Sequence, residues 1–282
     1  MKRLVYPLLI PGVLLLAGCG GALIGTKTEP ANVPVESATQ VANQPFSYDD
    51  YALVLSDHVD SEGQVDYDAL KENRQPLDNF NQSLAVLSPD TFATWTDEEK
   101  IAFWVNIYNS LTLQAIIDNY PTESIRNIPG VWKRLQFNVM GQNMTLDQIE
   151  HEVIRKEFNE PRIHMAIVCA SIGCPVLRQE PFVGEELDAQ LDDQTEQFLA
   201  LDRNFKIDKD NNRVEVSSIF KWFGQDFEPT YGVENKFAGN DKEKAVLNFV
   251  SQYLDPENQA YLTAGDYRVG YLDYDWSLNE QL

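Results

Sequence analysis

Cys169 is the side chain in this sequence with the clearest capacity for chemistry. It closes the run Glu160-Pro161-Arg162-Ile163-His164-Met165-Ala166-Ile167-Val168-Cys169 and is followed by Ala170-Ser171-Ile172-Gly173-Cys174-Pro175. The apolar stretch Arg162 to Cys169 reads as a buried strand feeding a tight loop. Such strand ends favour reactive groups, because a rigid support presents them on exposed backbone. A thiolate beside an imidazolium is a nucleophile for acyl transfer. The chain has 3 histidines to serve it, His58, His151 and His164. On an unbroken strand, five residues at about 3.3 Å each hold His164 about 16 Å from Cys169 and on the opposite face. The remaining choice is His151 or His58, and His151 is favoured. In this reading Cys169 is the nucleophile and His151 the base, with Glu150 or Asn106 orienting the imidazole. Trp104, Asn109, Arg162, His164 and Ser171 would contact the substrate. The same cysteines also fit a small Cys169–Cys174 disulfide or two buried thiols.

Local signals say which elements would hold these groups. Thr96 with Glu99 forms a capping box, and the apolar helix that follows runs to about Asn119, before Pro121. Trp104, Tyr108, Leu111 and Ala115 share one face of it, and Asn106, Asn109 and Ser110 another. Such a helix is buried on most sides, so its amides need partners, either in neighbouring loops or across a polar pocket. Thr145 with Gln148 opens a second helix carrying Glu150 and His151 to about Phe158. Further helices are expected near 48–58, 68–87, 185–200, 218–225 and 242–254. Strands are expected at Phe205 to Asp208, at Arg213 to Val216 across an Asp-Asn-Asn turn, and at Tyr267 to Leu272. The fold class is therefore α+β, a helix-dominated single domain over 46–282 with a small sheet.

The chain begins with Lys2 and Arg3, an apolar run from Leu4 to Leu16, and Leu16-Ala17-Gly18-Cys19. That is the pattern of a secretory signal, here 1–18, and the apolar run is too short to span a bilayer. The tetrad resembles the bacterial lipobox, which makes Cys19 the lipidated first residue of the mature chain. The expected location is exported and lipid-anchored, on the periplasmic side of the outer membrane in a Gram-negative host. Residues 19–45 read as a flexible tether reaching about 30 Å. Of 22 basic residues, loss of Lys2 and Arg3 leaves 20 against 44 acidic ones, a net charge of −24. Such a surface repels phosphate backbones and anionic lipids, which excludes nucleic acid as a partner and leaves the acyl chains to hold the membrane.

Other motifs fail. Asp208, Asp210 and Asn212 begin like a calcium loop, but Arg213 replaces the turn glycine and Ile219 the bidentate acid. His58, Asp60 and Glu62 have no diagnostic ligand spacing, and no metal or cofactor is implied. There is no phosphate loop, Rossmann fingerprint or Gly-x-Ser-x-Gly.

Several stretches together resemble the domain-of-unknown-function 547 family of bacterial exported and plant proteins. They are Trp104-Val105-Asn106-Ile107-Tyr108-Asn109, Ile149-Glu150-His151, and Glu160 to His164 leading into Cys169-Ala170-Ser171 and Cys174-Pro175. Ser218 to Phe223 with Asp226-Phe227 and the closing Tyr274 to Asn279 complete the set. The resemblance covers about 46–282 and implies the domain rather than a reaction. In plant members the position of Cys174 is Ser, which implies that a disulfide is not obligatory and favours Cys169 as nucleophile. Two functions stand side by side: a cysteine hydrolase or acyltransferase, and a non-catalytic module that binds an envelope small molecule or protein through the same pocket.

Overall fold

The computed structural model describes residues 46–281. The expected signal peptide, the expected lipidation site Cys19 and the expected tether lie outside the described residues. What is described is a helix-dominated α+β domain with two small sheets.

The first half is helical: α1 (Asp49–His58), α2 (Tyr67–Glu72), α3 (Gln75–Val86), α4 (Pro89–Ala93) and α5 (Asp97–Ile117). The expected 68–87 helix is two. Pro76 opens the second at its first turn, where a missing N–H matters least, and the chain breaks at Asn73 and Arg74. Helix α5 carries its capping box: Thr96 Oγ1 accepts from Glu99 N, and Glu99 Oε2 accepts from Thr96 N. It is buried on nearly every side from Ile101 to Ile117 and forms the axis of the larger core.

A short hairpin follows, β1 (Phe137–Val139) and β2 (Gln142–Met144), joined through Met140 and Gly141. Both turn residues have positive φ, the backbone that a two-residue hairpin turn requires. Then come α6 (Leu146–Gln148), a π segment (Ile149–Ile154) and α7 (Arg155–Glu157). After them the chain departs from expectation. Arg162 to Cys169 is not a strand. Pro161–Met165 is a 3-10 turn, and the chain continues to Cys169 without pairing to a sheet. Pro161 starts that turn, and Glu160 caps it by accepting from Arg162 N.

Helix α8 (Leu187–Leu199) precedes the second sheet. Strands β3 (Phe205–Asp208) and β4 (Arg213–Ser217) are antiparallel, with Phe205 opposite Val216. Helices α9 (Ser218–Phe223), α10 (Glu228–Tyr231), α11 (Asp241–Ser251) and α12 (Pro256–Ala264) intervene before β5 (Arg268–Leu272) returns parallel to β4. Val214, Val216, Phe220, Phe227 and Phe249 fill a second core under this sheet. Among the described residues no helix is long and apolar enough to cross a membrane.

Candidate functional site

The site is built from the buried amides of α5 outward. Asn109 donates from Nδ2 to Ala166 O at 3.0 Å and accepts at Oδ1 from Val168 N at 2.8 Å. It therefore fixes the backbone just before Cys169. Asn106 does the same for another segment, donating to Phe182 O and accepting from Phe182 N. Each amide is satisfied at both ends by backbone, as burial demands. Asn106 is thus bound to Phe182 and does not line the cleft that holds the histidines, which is where the structure departs from its expected role of orienting an imidazole.

Beyond Val168 the chain turns sharply. Ala170 has φ +56°, a left-handed conformation that a side chain disfavours by about 1–2 kcal/mol. The loop is tied to the C-terminal segment, because Ile172 N donates to Ser277 O and Gly173 N to Asp275 O, both at 2.9 Å. A β-carbon on Gly173 would lie 2.9 Å from the Tyr274 ring, so glycine lets that ring pack down on the loop.

The loop brings the two sulfurs together. Cys169 Sγ is 2.6 Å from Cys174 Sγ, 3.2 Å from Tyr274 Oη and 3.3 Å from Ser171 Oγ. Cys174 Sγ also accepts from the Cys169 backbone N–H at 2.9 Å and is 3.0 Å from Tyr274 Oη. Burial opposes charge on Cys174, yet hydrogen bonds from Cys169, Ser171 and Tyr274 outweigh it and bring the thiol down to about 7. Cys169, which donates to that sulfur and is itself desolvated, is pushed up. The two titrate as a unit: the first proton leaves readily and the second with difficulty.

These groups open on a cleft of about 360 Å³. Cys169, Cys174, Glu150, His151 and His164 all line it, with Tyr108, Trp132, Trp222, Phe223, Tyr274 and Trp276. Glu150 and His151 arrive on the π segment. A π turn carries one residue more than an α turn, and such turns often mark functional sites.

The two cleft histidines differ in what they have free. Arg155 Nη1 lies 3.0 Å from His151 Nδ1. A guanidinium can only donate, so Nδ1 must accept and the ring proton sits on Nε2, 3.7 Å from Asp147 Oδ1. His151 therefore has its one lone pair occupied. His164 Nε2 is 2.8 Å from Asp226 Oδ2, a carboxylate that can only accept. Its proton sits on Nε2 and its lone pair on Nδ1. The ring stacks on Phe223 at 4.5 Å and 13°. Asp226 is gripped from its other side by Arg155, through Nε at 2.6 Å and Nη2 at 2.9 Å. Burial raises the Asp226 carboxyl, but His164 and Arg155 together hold it well below the usual carboxylate range.

The remaining predicted residues lie elsewhere. Trp104 is buried against Phe92 and Phe103, outside the cleft. Arg162 is neutralised by Glu160, Asp188 and Asp192. Ser171 touches both sulfurs, and with Cys174 and Pro175 it lines a second cavity of about 470 Å³. Sequence reasoning missed Asp226 as the partner of His164, Tyr274 as a donor to the thiols, and the aromatic wall. Their signals were the aromatic density of Ser218 to Phe227 and Tyr274 to Trp276 and the place of both stretches in the family resemblance. The exclusion of His164 fell with the strand on which it rested. Among the described residues no three His, Cys, Asp or Glu side chains converge as a metal-ligand set.

No curated protein and no solved structure matches the chain. Residues 92–199, which contain Cys169, Cys174, His151, His164 and Glu150, match the model of a family described as Protein of unknown function, DUF547.

Proposed function

We propose that the cleft is a thiol-dependent acyl-transfer site, with Cys169 as nucleophile, His164 as proton carrier and Asp226 as the group that orients it. The observation that carries this reading is the His164–Asp226 contact at 2.8 Å in a cleft that also holds an acidic thiol pair. A nucleophile, a base and a third group holding the base make up a triad. Hydrogen bonds from Cys169, Ser171 and Tyr274 favour a thiolate on Cys174, which can take the Cys169 proton. Cys169 is the half-buried member of the pair and Cys174 the buried one, so substrate meets Cys169.

Cys169 gives its proton to His164 Nδ1, directly or through Cys174, and its sulfur bonds to the acyl carbon. The bond from that carbon to the leaving group breaks, and the leaving group takes the proton from His164. Water or an acceptor nucleophile, deprotonated by His164, then attacks the thioester and restores the thiol. Contacts absent from a ligand-free site commonly close only around substrate.

A second reading, a non-catalytic binding module, draws on another observation: the hydrogen-bond partners of Cys169 Sγ are Cys174, Ser171 and Tyr274, with no imidazole among them. An activated ester separates the two. Reduced protein treated with p-nitrophenyl acetate should gain one hydroxylamine-sensitive acetyl group on the Cys169 peptide. Cys169→Ala should abolish the adduct, and His164→Asn should slow its turnover by about 100-fold or more. An adduct that persists in Cys169→Ala, or none in the wild type, overturns the catalytic reading.

We also propose that the domain is an exported, lipid-anchored envelope protein, on the strength of Lys2-Arg3, the apolar run and Leu16-Ala17-Gly18-Cys19. Expressed in a bacterial host, it should partition into detergent, and Cys19→Ala should move it to the aqueous phase. Equal partitioning of the two would remove the anchor.

A further inference from the structure

The cleft contains a carboxylate that the acyl-transfer chemistry does not use. Glu150 is nine-tenths buried, its side chain keeping 10 % of its exposed surface. The basic side-chain nitrogen within 4 Å of it is His151 Nδ1, at 3.6 Å. That nitrogen is already taken by Arg155, and Arg155 is itself paired to Asp226. The buried Tyr108 phenol beside Glu150 is pushed up by desolvation and then by the Glu150 charge, so it stays neutral, and toward that carboxylate it is the donor. Lys133 sits at the rim, 78 % exposed, with Asp147 at 3.8 Å. Glu150 thus shares the Arg155 charge with Asp226, and a buried carboxylate that shares its countercharge marks a place where a cationic ligand can complete the pairing.

The wall of the cleft fits the same ligand. Three of the chain's 5 tryptophans line it, Trp132, Trp222 and Trp276. Trp222 is 40 % exposed, the one aromatic among the large exposed hydrophobic side chains of the described residues. Trp222 packs on Tyr274 at 5.0 Å and on Trp276 at 5.9 Å, so the three rings form one surface. Aromatic faces attract cations, and desolvation strengthens the attraction. Two such contacts already exist here: Arg126 lies 5.2 Å from the Trp276 ring centre and Arg155 4.8 Å from that of Phe223. A net charge of −22 on the chain also draws cations inward.

We infer that the cleft recognises a substituted ammonium group, seated between the Glu150 carboxylate and the Trp222–Tyr274–Trp276 surface. This rests on the acyl-transfer reading and gives it a substrate class: an acyl compound whose leaving group or acyl part bears a cationic amine.

The probes are choline and its neutral carbon analogue 3,3-dimethyl-1-butanol, titrated against the intrinsic fluorescence of the full mature protein. Choline should give a saturable change, and the neutral analogue should bind about tenfold more weakly or worse. Glu150→Gln should weaken choline by about tenfold and leave the neutral analogue unchanged. Trp222→Ala, with its fold verified by far-UV dichroism, should weaken both. Bound choline should also slow alkylation of Cys169. Equal binding of the two probes, no saturation with choline, or choline affinity unchanged in folded Glu150→Gln overturns the proposal. Acetylation of Cys169 is read separately, so the ammonium site can fail while the thiol chemistry stands.

Discussion

At the scale of single residues, the thiol pair makes the sharpest statement. Two sulfurs sharing hydrogen bonds with Ser171 and Tyr274 should ionise as one thiolate, with its first proton lost near 7. Alkylation of the reduced protein by iodoacetamide should therefore show a midpoint clearly below the ordinary thiol value of about 8.5. Cys169→Ala should carry the Cys174 midpoint back to that value or above, whereas Cys169→Ser, which keeps a donor, should fall between. A Cys174 midpoint unmoved by Cys169→Ala would show that the pair is not coupled. Asp226 supplies a second case. Its carboxyl is lowered in the folded state, so its stabilising contribution is complete above about pH 4 and is lost as the pH falls below that. Asp226→Asn should lower stability by about 1–3 kcal/mol at neutral pH, since it leaves Arg155 and His164 with weaker partners. It should also flatten the acid limb of stability, as measured by urea midpoints from pH 7 down to 3.

At the scale of elements, the helices and the second sheet were legible and the segment bearing the chemistry was not. The capping boxes at Thr96 and Thr145 announce their helices, because a cap is a local arrangement of a few residues. Strands β3 and β4 were legible from β-branched alternation around a turn. Met165 to Cys169 reads as a strand because it is continuously apolar. It is apolar because Asn109 and Gln194 pin it inside the core, with Gln194 Nε2 donating to Met165 O and Val176 O. A buried irregular segment satisfied by side-chain amides has the composition of a buried strand, and periodicity cannot separate them. The π segment was equally hidden, since one extra residue in a turn leaves no compositional mark. These amide clamps are testable. Asn109→Ala leaves the Ala166 carbonyl and the Val168 amide unpaired in the core, at about 1–3 kcal/mol each. Urea unfolding should show a loss of about 2–6 kcal/mol, and the labelling midpoint of the thiol pair should move with it. A loss under 0.5 kcal/mol, about what an ordinary surface substitution gives, would mean that the loop holds its position without Asn109.

At the scale of the whole molecule, the cleft draws on both cores. Tyr108 and Ile167 belong to the larger one, and Ile219 and Phe223 pack with the sheet core. The family match ends at residue 199 and contains the thiols and both cleft histidines, but Asp226, Trp222, Tyr274 and Trp276 lie beyond it. The chain therefore completes its site with residues from its last 60 or so positions, and the closing segment has a double task. Ser277 O and Asp275 O hold the cysteine loop, while Asn279 O accepts from Val65 N and Asn279 Oδ1 from Tyr67 Oη. Tyr274 donates to the thiol pair from the same stretch. A chain ending at Leu272 keeps every strand of both sheets, together with Cys169, His164 and Asp226. If the C-terminal segment is what poises the thiols, that truncation should return the alkylation midpoint to the ordinary value of about 8.5 and release the loop to faster hydrogen exchange. Its far-UV dichroism should stay close to that of the intact protein, because the truncation removes no helix or strand. A truncated protein that folds and still labels with a depressed midpoint would show instead that Ser171 and the loop backbone suffice, and that the last ten residues serve packing alone.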